Sequence, residues 1–271
     1  MALSDNLISY WKLDEADGST GHTAYDAVNY PSGNNGAFTD VTQSSTNGKL
    51  PTGSPIGAGF NGTTSKIVLG TAIAMPTDLT ISAWIKTTGD ANQVIFSDNK
   101  ADGSVYYFLW MNNADRLGLY WQSAAGNNRS YLTDGSVTTD TNFHLVTITQ
   151  VGTGAPIFYF DGQVVASSET GSTGVATKPT AQGTAIGRNG LVSEFYWNGS
   201  IDEVGIWSRA LTSGEVTSLW NGGAGLAYPL TTNLSISLID SVTISEYKNI
   251  NVTQTFYVTN PSTAWGLKII G

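Results

Sequence analysis

Cleaving a glycosidic bond takes two carboxyl groups facing one another, about 5–5.5 Å apart for retention and about 6.5–9.5 Å for inversion. On one strand that means acids at i and i+2 or i+4. Glutamate occurs at Glu15, Glu169, Glu194, Glu203, Glu215 and Glu246, and no two are so spaced. Asp202 and Glu203 are adjacent, so on a regular strand they point to opposite faces. A Glu-x-Asp-x-x-Glu array is absent. His22 and His144 are far apart, and His144 opens an evident strand, so neither a nucleophilic triad nor a zinc-binding pair can be drawn from them. With no cysteine, thiolate metal sites and thiol nucleophiles are excluded. The chain reads as a non-enzyme.

Two constellations carry binding chemistry instead. Val204 and Ile206 share the strand parity of Asp202, which places that carboxylate on the face they bury. A buried charge needs a partner. Arg209 or Lys12 supplies one by ion pairing, and calcium, which takes carboxylate and carbonyl oxygens, supplies another. Asp14, Glu15 and Asp17 join if the first and last strands pair. The second constellation is aromatic. Tyr106, Tyr107, Trp110, Tyr120, Trp121, Tyr131, Tyr196 and Trp197 exceed what one sheet face buries, although alternation sends about half of them inward. Sugar-binding surfaces combine ring faces with amide side chains. That makes Trp110, Tyr120, Trp121, Asn127, Asn128 and Arg129 the expected ligand-binding residues, the last three in a loop.

The elements that must position these residues are strands. Period-2 runs bounded by Gly, Asn and Asp fall at 7–13, 67–69, 79–86, 94–97, 105–110, 116–122, 144–151, 157–160, 163–166, 185–187 and 201–207. Asp161-Gly162 supplies a hairpin turn, and the polar stretch 33–59 reads as loop. Thr212-Ser213-Gly214-Glu215 is a capping box opening one short helix, which Asn221-Gly222-Gly223 ends; it is expected to cover one end of the molecule. The expected fold is all-β, a two-sheet antiparallel sandwich with that helix and a β-rich tail. A boundary near Leu230 separates 1–228 from 229–271, where Leu234, Ile236, Leu238, Val242 and Ile244 alternate with polar residues.

Composition agrees. Of 271 residues only 12% are charged, about half the usual share, while 31 are glycine. Twelve Lys plus Arg, scattered in a chain of net charge −9, give no footprint for nucleic acid and disfavour anionic membranes. No apolar run approaches the ~20 residues needed to span a bilayer. Met1 to Asp5 shows no signal-peptide pattern.

Taken together, the ordered segments Leu7-Ile-Ser-Tyr-Trp-Lys-Leu-Asp-Glu15, Gly59-Phe-Asn-Gly62, Leu79-Thr-Ile-Ser-Ala-Trp-Ile-Lys86, Phe143-His-Leu-Val-Thr-Ile148, Phe158-Tyr-Phe-Asp-Gly162, Ile201-Asp-Glu-Val-Gly-Ile-Trp-Ser-Arg-Ala-Leu-Thr212 and Leu219-Trp-Asn-Gly222 resemble laminin G-like, concanavalin A-like jelly-roll domains of the bacterial and viral group. The resemblance covers about residues 3–228. It implies a jelly roll, mostly non-catalytic binding of a glycan or a surface protein, and a calcium ion carried over to Asp14, Gly62 and Asp202. With its tail, the chain also resembles virion proteins of tailed bacteriophages. The function expected from this is attachment or decoration on a phage particle, with capsid or tail proteins as partners and 229–271 as an anchoring or homo-oligomerising element. The alternative is a calcium-stabilised carbohydrate-binding module of a bacterial cell surface.

Overall fold

The structure is a computed structural model. It describes residues 2–50, 56–87, 91–99, 106–123, 126–137, 140–174, 178, 183–190 and 194–230. Contacts divide the chain into two compact units, Met1–Thr232 and Asn233–Gly271. The second, and with it the expected anchoring element beyond Leu230, lies outside the described residues.

In chain order the strands are β1 (Leu7–Trp11), β2 (Thr23–Ala24), β3 (Gly36–Thr39), β4 (Thr42–Ser44), β5 (Gly57–Asn61), β6 (Lys66–Leu69), β7 (Leu79–Thr87), β8 (Gln93–Asn99), β9 (Tyr106–Met111), β10 (Leu117–Gln122), β11 (Asn128–Thr133), β12 (His144–Gln150), β13 (Ile157–Phe160), β14 (Gln163–Val165), β15 (Ser167–Ser172), β16 (Thr184–Ile186) and β17 (Asn198–Trp207), followed by helix α1 (Ser213–Trp220). They form two antiparallel sheets. Sheet A runs β14-β13-β12-β7-β17-β5-β4, with β1 also paired to β17, and sheet B runs β15-β11-β10-β9-β8-β16-β6-β3-β2. The expected jelly-roll sandwich is the observed fold.

The main core lies between the sheets. Alternation along β7 sends Leu79, Ile81, Ala83 and Ile85 inward, against Phe96, Leu109, Leu119 and Trp121 of sheet B. A second cluster lies on the outer face of sheet A, where Tyr10, Trp84, Leu145 and Trp207 pack under Val216 and Leu219 of α1. The capping box of Thr212 and Glu215 is present, and Asn221 ends the helix in the left-handed region (φ 49°). The helix therefore roofs the outer face of sheet A rather than one end of the sandwich.

The structure adds strands that the period-2 reading lacks, β2 and β15 among them. The expected loop 33–59 contains β3, β4 and β5, and Asn128 and Arg129, expected in a loop, lie on β11. These strands are short and carry Gly, Thr, Ser and Asn, so no apolar alternation marks them. Pairing to neighbours forms them, and at Gly57 a Cβ would stand 2.2 Å from the Asn47 carbonyl oxygen.

Candidate functional site

Among the described residues, no helix lies over the outer face of sheet B. Along β9 the odd positions Tyr107, Leu109 and Met111 are buried, while Tyr106, Phe108 and Trp110 face outward, half-buried. On β10, Tyr120 stands opposite Phe108, Gly118 opposite Trp110 and Gln122 opposite Tyr106. The four outward rings form one band. Phe108 stacks on Tyr120 (centroids 5.1 Å apart, 26° between planes), with Tyr106 and Trp110 edge-on to Phe108 at 6.3 and 6.2 Å. Trp110 lies over Gly118, where a Cβ would be 2.3 Å from its Nε1. The missing side chain is what lets the indole settle there.

Polar groups frame the band. The Tyr120 hydroxyl donates to Gln122 Oε1 (2.8 Å), and partial burial holds that phenol above its ordinary pKa. On the β11 side, Asn128 stands opposite Gln122 and Ser130 opposite Tyr120, with Thr170 Oγ1 donating to Ser130 Oγ (3.0 Å). On the other side Val94, opposite Trp110, donates its N–H to the carbonyl of Phe195 (2.9 Å). Phe195 is 38% exposed and sits at φ 55°, an uncommon conformation for a bulky residue. Phe108, absent from the aromatic residues expected from the sequence, shares the parity of Tyr106 and Trp110, and that parity is the signal that could have found it.

Of the six expected ligand-binding residues, Trp110, Tyr120 and Asn128 fall on this face. Trp121 does not: it is fully buried on the inner face, stacked on Tyr131 (5.8 Å, 8°). Arg129, opposite Trp121, is a clamp. It donates to both Glu169 oxygens (2.8 and 3.0 Å) and to the Thr153 carbonyl (2.7 Å), tying β11 to β15 and to the β12–β13 turn. Asn127 belongs to the turn before β11, its carbonyl accepting from Ser123 N–H (2.9 Å).

The acidic constellation also differs from expectation. Asp202 pairs with Trp84 and Gly205 with Ser82, so β17 carries a bulge between them, with Glu203 at φ 51°. Val204 and Ile206 stay in the inter-sheet core. Asp202, opposite the outward Trp84, and Glu203, which borders an outward cavity of about 10 Å³ with Tyr10, Trp84 and Trp207, share the outer face. Both are buried. Asp202 Oδ2 accepts from the Lys49 backbone N–H (2.7 Å), while Asp202 Oδ1 and Glu203 Oε2 meet no hydrogen-bond partner among the described residues. Burial pushes the Glu203 carboxyl up to about 8 and holds that of Asp202 well above the usual range, where the charge of Glu203 adds to the effect. The space beside Glu203 is of a size to hold one water and admits no sugar.

The three expected calcium ligands do not gather at one point, although Asp14 stands near enough for its charge to help hold the Asp202 and Glu203 carboxyls up. Asp14 is held by Lys12 Nζ (2.6 Å). Gly62 lies beside Asn198, four positions along β17 from Asp202 and thus about 13 Å away. Among the described residues no three Asp, Glu, His or Cys side chains converge. The bulge instead gives Asp202 a neighbour the sequence had sent to the other face. Asp202 Oδ1 and Glu203 Oε2 are thus two buried carboxylate oxygens with no hydrogen-bond donor among the described residues. His144 is a packed histidine, its Nδ1 on Asp161 (2.8 Å) and its ring on Phe160 (4.6 Å).

Two packed antiparallel sheets in this strand order make a jelly-roll sandwich. The chain belongs to the concanavalin A-like lectin/glucanases superfamily, whose laminin G-type model matches residues 61–217. Among solved structures it is similar to domain 4 of AbnA, a GH43 extracellular arabinanase from Geobacillus stearothermophilus, solved in complex with arabinotriose. The two are 20% identical over 78% of this chain and 97% of that one, with a TM-score of 0.56. It is also similar to the receptor-binding domain of the botulinum neurotoxin C/D mosaic serotype (16% identity, 81% of this chain and 52% of that one, TM-score 0.55). The binding domain of Paraclostridial Mosquitocidal Protein 1 is a further likeness (15%, 82% and 53%, TM-score 0.57). The chain thus spans about half the length of the toxin domains, and at these identities the likeness is one of fold. No curated protein matches it. Among the described residues, no helix is long and apolar enough to cross a membrane.

Proposed function

We propose that this sandwich is a calcium-stabilised, non-catalytic carbohydrate-recognition module, serving attachment on the surface of a cell or phage particle. The band of Tyr106, Phe108, Trp110 and Tyr120 on the open face of sheet B carries the reading: four half-exposed rings, framed by Gln122, Asn128 and Ser130, face away from the core. Ring faces bury the apolar faces of sugars, and amides and hydroxyls take up their hydroxyl groups. That AbnA domain 4 was solved with arabinotriose supports a glycan as the class of ligand. The phage setting, with capsid or tail proteins as partners, is supported by the resemblance of the tail.

The test is a glycan array followed by calorimetry on the strongest ligand. Trp110→Ala and Tyr120→Ala are each expected to weaken binding about tenfold or more, with the fold retained by circular dichroism. Unchanged affinity in both variants would remove the band as the site. Hydrolysis of a bound glycan, lost on removing a carboxylate, would overturn the non-catalytic reading.

A further inference from the structure

We infer that the ligand of the open face carries an anionic substituent on a sugar, and that Arg116 receives it. This rests on the reading of that face as a glycan site. Leu117, the first residue of β10, points into the core, so Arg116 before it stands on the same face as Gly118 and Tyr120. Gly118 is the residue over which Trp110 lies. Arg116 therefore stands next along the face from the Trp110 indole, at the end of a band whose four side chains carry no charge.

The guanidinium is fixed at one edge and free at the other. Its Nε donates to the Thr133 carbonyl on β11, which sets the orientation of the plane. Its two terminal nitrogens meet no acceptor among the described residues, and no described carboxylate lies within 4.0 Å, although Asp115 and Asp134 occupy the flanking turns. The contrast with other arginines is plain: Arg129 is held by Glu169 and Arg209 by Glu215, each through two nitrogens. A half-buried guanidinium whose two terminal nitrogens are unused presents a fork that matches a carboxylate, sulfate or phosphate ester. A sugar ring seated on Trp110 would bring a charged substituent to that fork.

The test uses the full chain on an array of matched neutral, uronate-bearing, sialylated, sulfated and phosphorylated glycans, which separates the sources of the anion. Calorimetry then compares the best acidic glycan with its neutral counterpart for wild type, Arg116→Gln, Arg116→Lys and Trp110→Ala. The acidic glycan is expected to bind at least about tenfold more tightly than the neutral one. That preference should shrink with added salt, disappear in Arg116→Gln and return in part in Arg116→Lys, while Trp110→Ala weakens both ligands. If Arg116→Gln does not fold, Arg116→Lys, which keeps the charge and loses the fork, carries the comparison: an unchanged preference there overturns the fork. Equal affinity for acidic and neutral glycans overturns the inference and leaves the glycan site standing. Binding of no glycan at all overturns both.

Discussion

Gly118 and Trp121 show how much a single position decides. A Cβ at Gly118 would stand 2.3 Å from Trp110 Nε1 and 2.8 Å from Leu132 Cδ2, so Gly118→Ala must displace the indole. We expect that variant to lose about 1–3 kcal/mol in denaturant unfolding and to shift tryptophan fluorescence. Trp121→Ala, which empties a fully buried site, is expected to lose about 3–5 kcal/mol. Trp110→Ala, at a half-buried surface ring, should lose less than Trp121→Ala. A larger loss for Trp110→Ala would mean that the band is a structural cluster first. Both tryptophans were legible as sugar-stacking candidates in the sequence, because Tyr106 to Met111 and Leu117 to Gln122 are apolar or aromatic at most positions and hide which parity is inward. The choice is made across the sheet: the Tyr107 hydroxyl finds an acceptor inside in Gln150 (3.1 Å), and Trp121 finds Tyr131.

Along an element, one extra residue matters as much. The bulge at Glu203 reverses the parity that a regular strand would impose and gathers Asp202 and Glu203 on one face, yielding the one paired-carboxylate feature that spacing had ruled out. Its consequence is a stability that depends on pH. Glu203 is raised from 4.5 to about 8 on folding, so the folded state holds a proton that the unfolded state releases. Stability is therefore lost as pH rises from 4.5 through about 8. Glu215, lowered to about 2 mainly by its hydrogen bonds with Arg209, works in the opposite direction: its contribution is present above 4.5 and lost as pH falls towards 2. In chelator, the melting temperature should peak near pH 5 and fall towards pH 9, and Glu203→Gln should flatten the alkaline fall. Calcium at pH 8 should raise the melting temperature of wild type more than that of Asp202→Asn. A wild-type melting temperature that is level between pH 5 and 9 in chelator would show that the pair is not buried as described, and indifference to calcium would remove the cation from Asp202 and Glu203.

For the molecule, the proposed function rests on which sheet face the described residues leave open. Sheet A is roofed by α1 and by the chain after it, where Tyr228 stacks on Tyr10 (5.4 Å) and Leu230 is 4% exposed. Over the aromatic band of sheet B the described residues place no helix. Because Leu230 belongs to the packed outer cluster, a truncation meant to test the tail belongs after Thr232 rather than after Tyr228. If 233–271 assembles copies of the chain, light scattering should give an oligomer for the full chain and a monomer for residues 1–232. A full-length monomer would end that role for the tail.

The sequence by itself determined the class. Strand periodicity, the Thr212–Glu215 capping box and the ordered segments from Leu7 to Gly222 defined a jelly-roll sandwich with one helix, because alternation, capping and turn chemistry act between near neighbours in the chain. It also marked Trp110, Tyr120 and Asp202 as residues of interest. Only the tertiary structure decided which face each of them serves. Parity fixes faces within a strand, whereas a bulge, the absent side chain at Gly118 and the register between strands distant in sequence fix which face is inward. The polar strands β3, β4, β5 and β15 exist through pairing with partners far along the chain, so their own residues carry little of the signal.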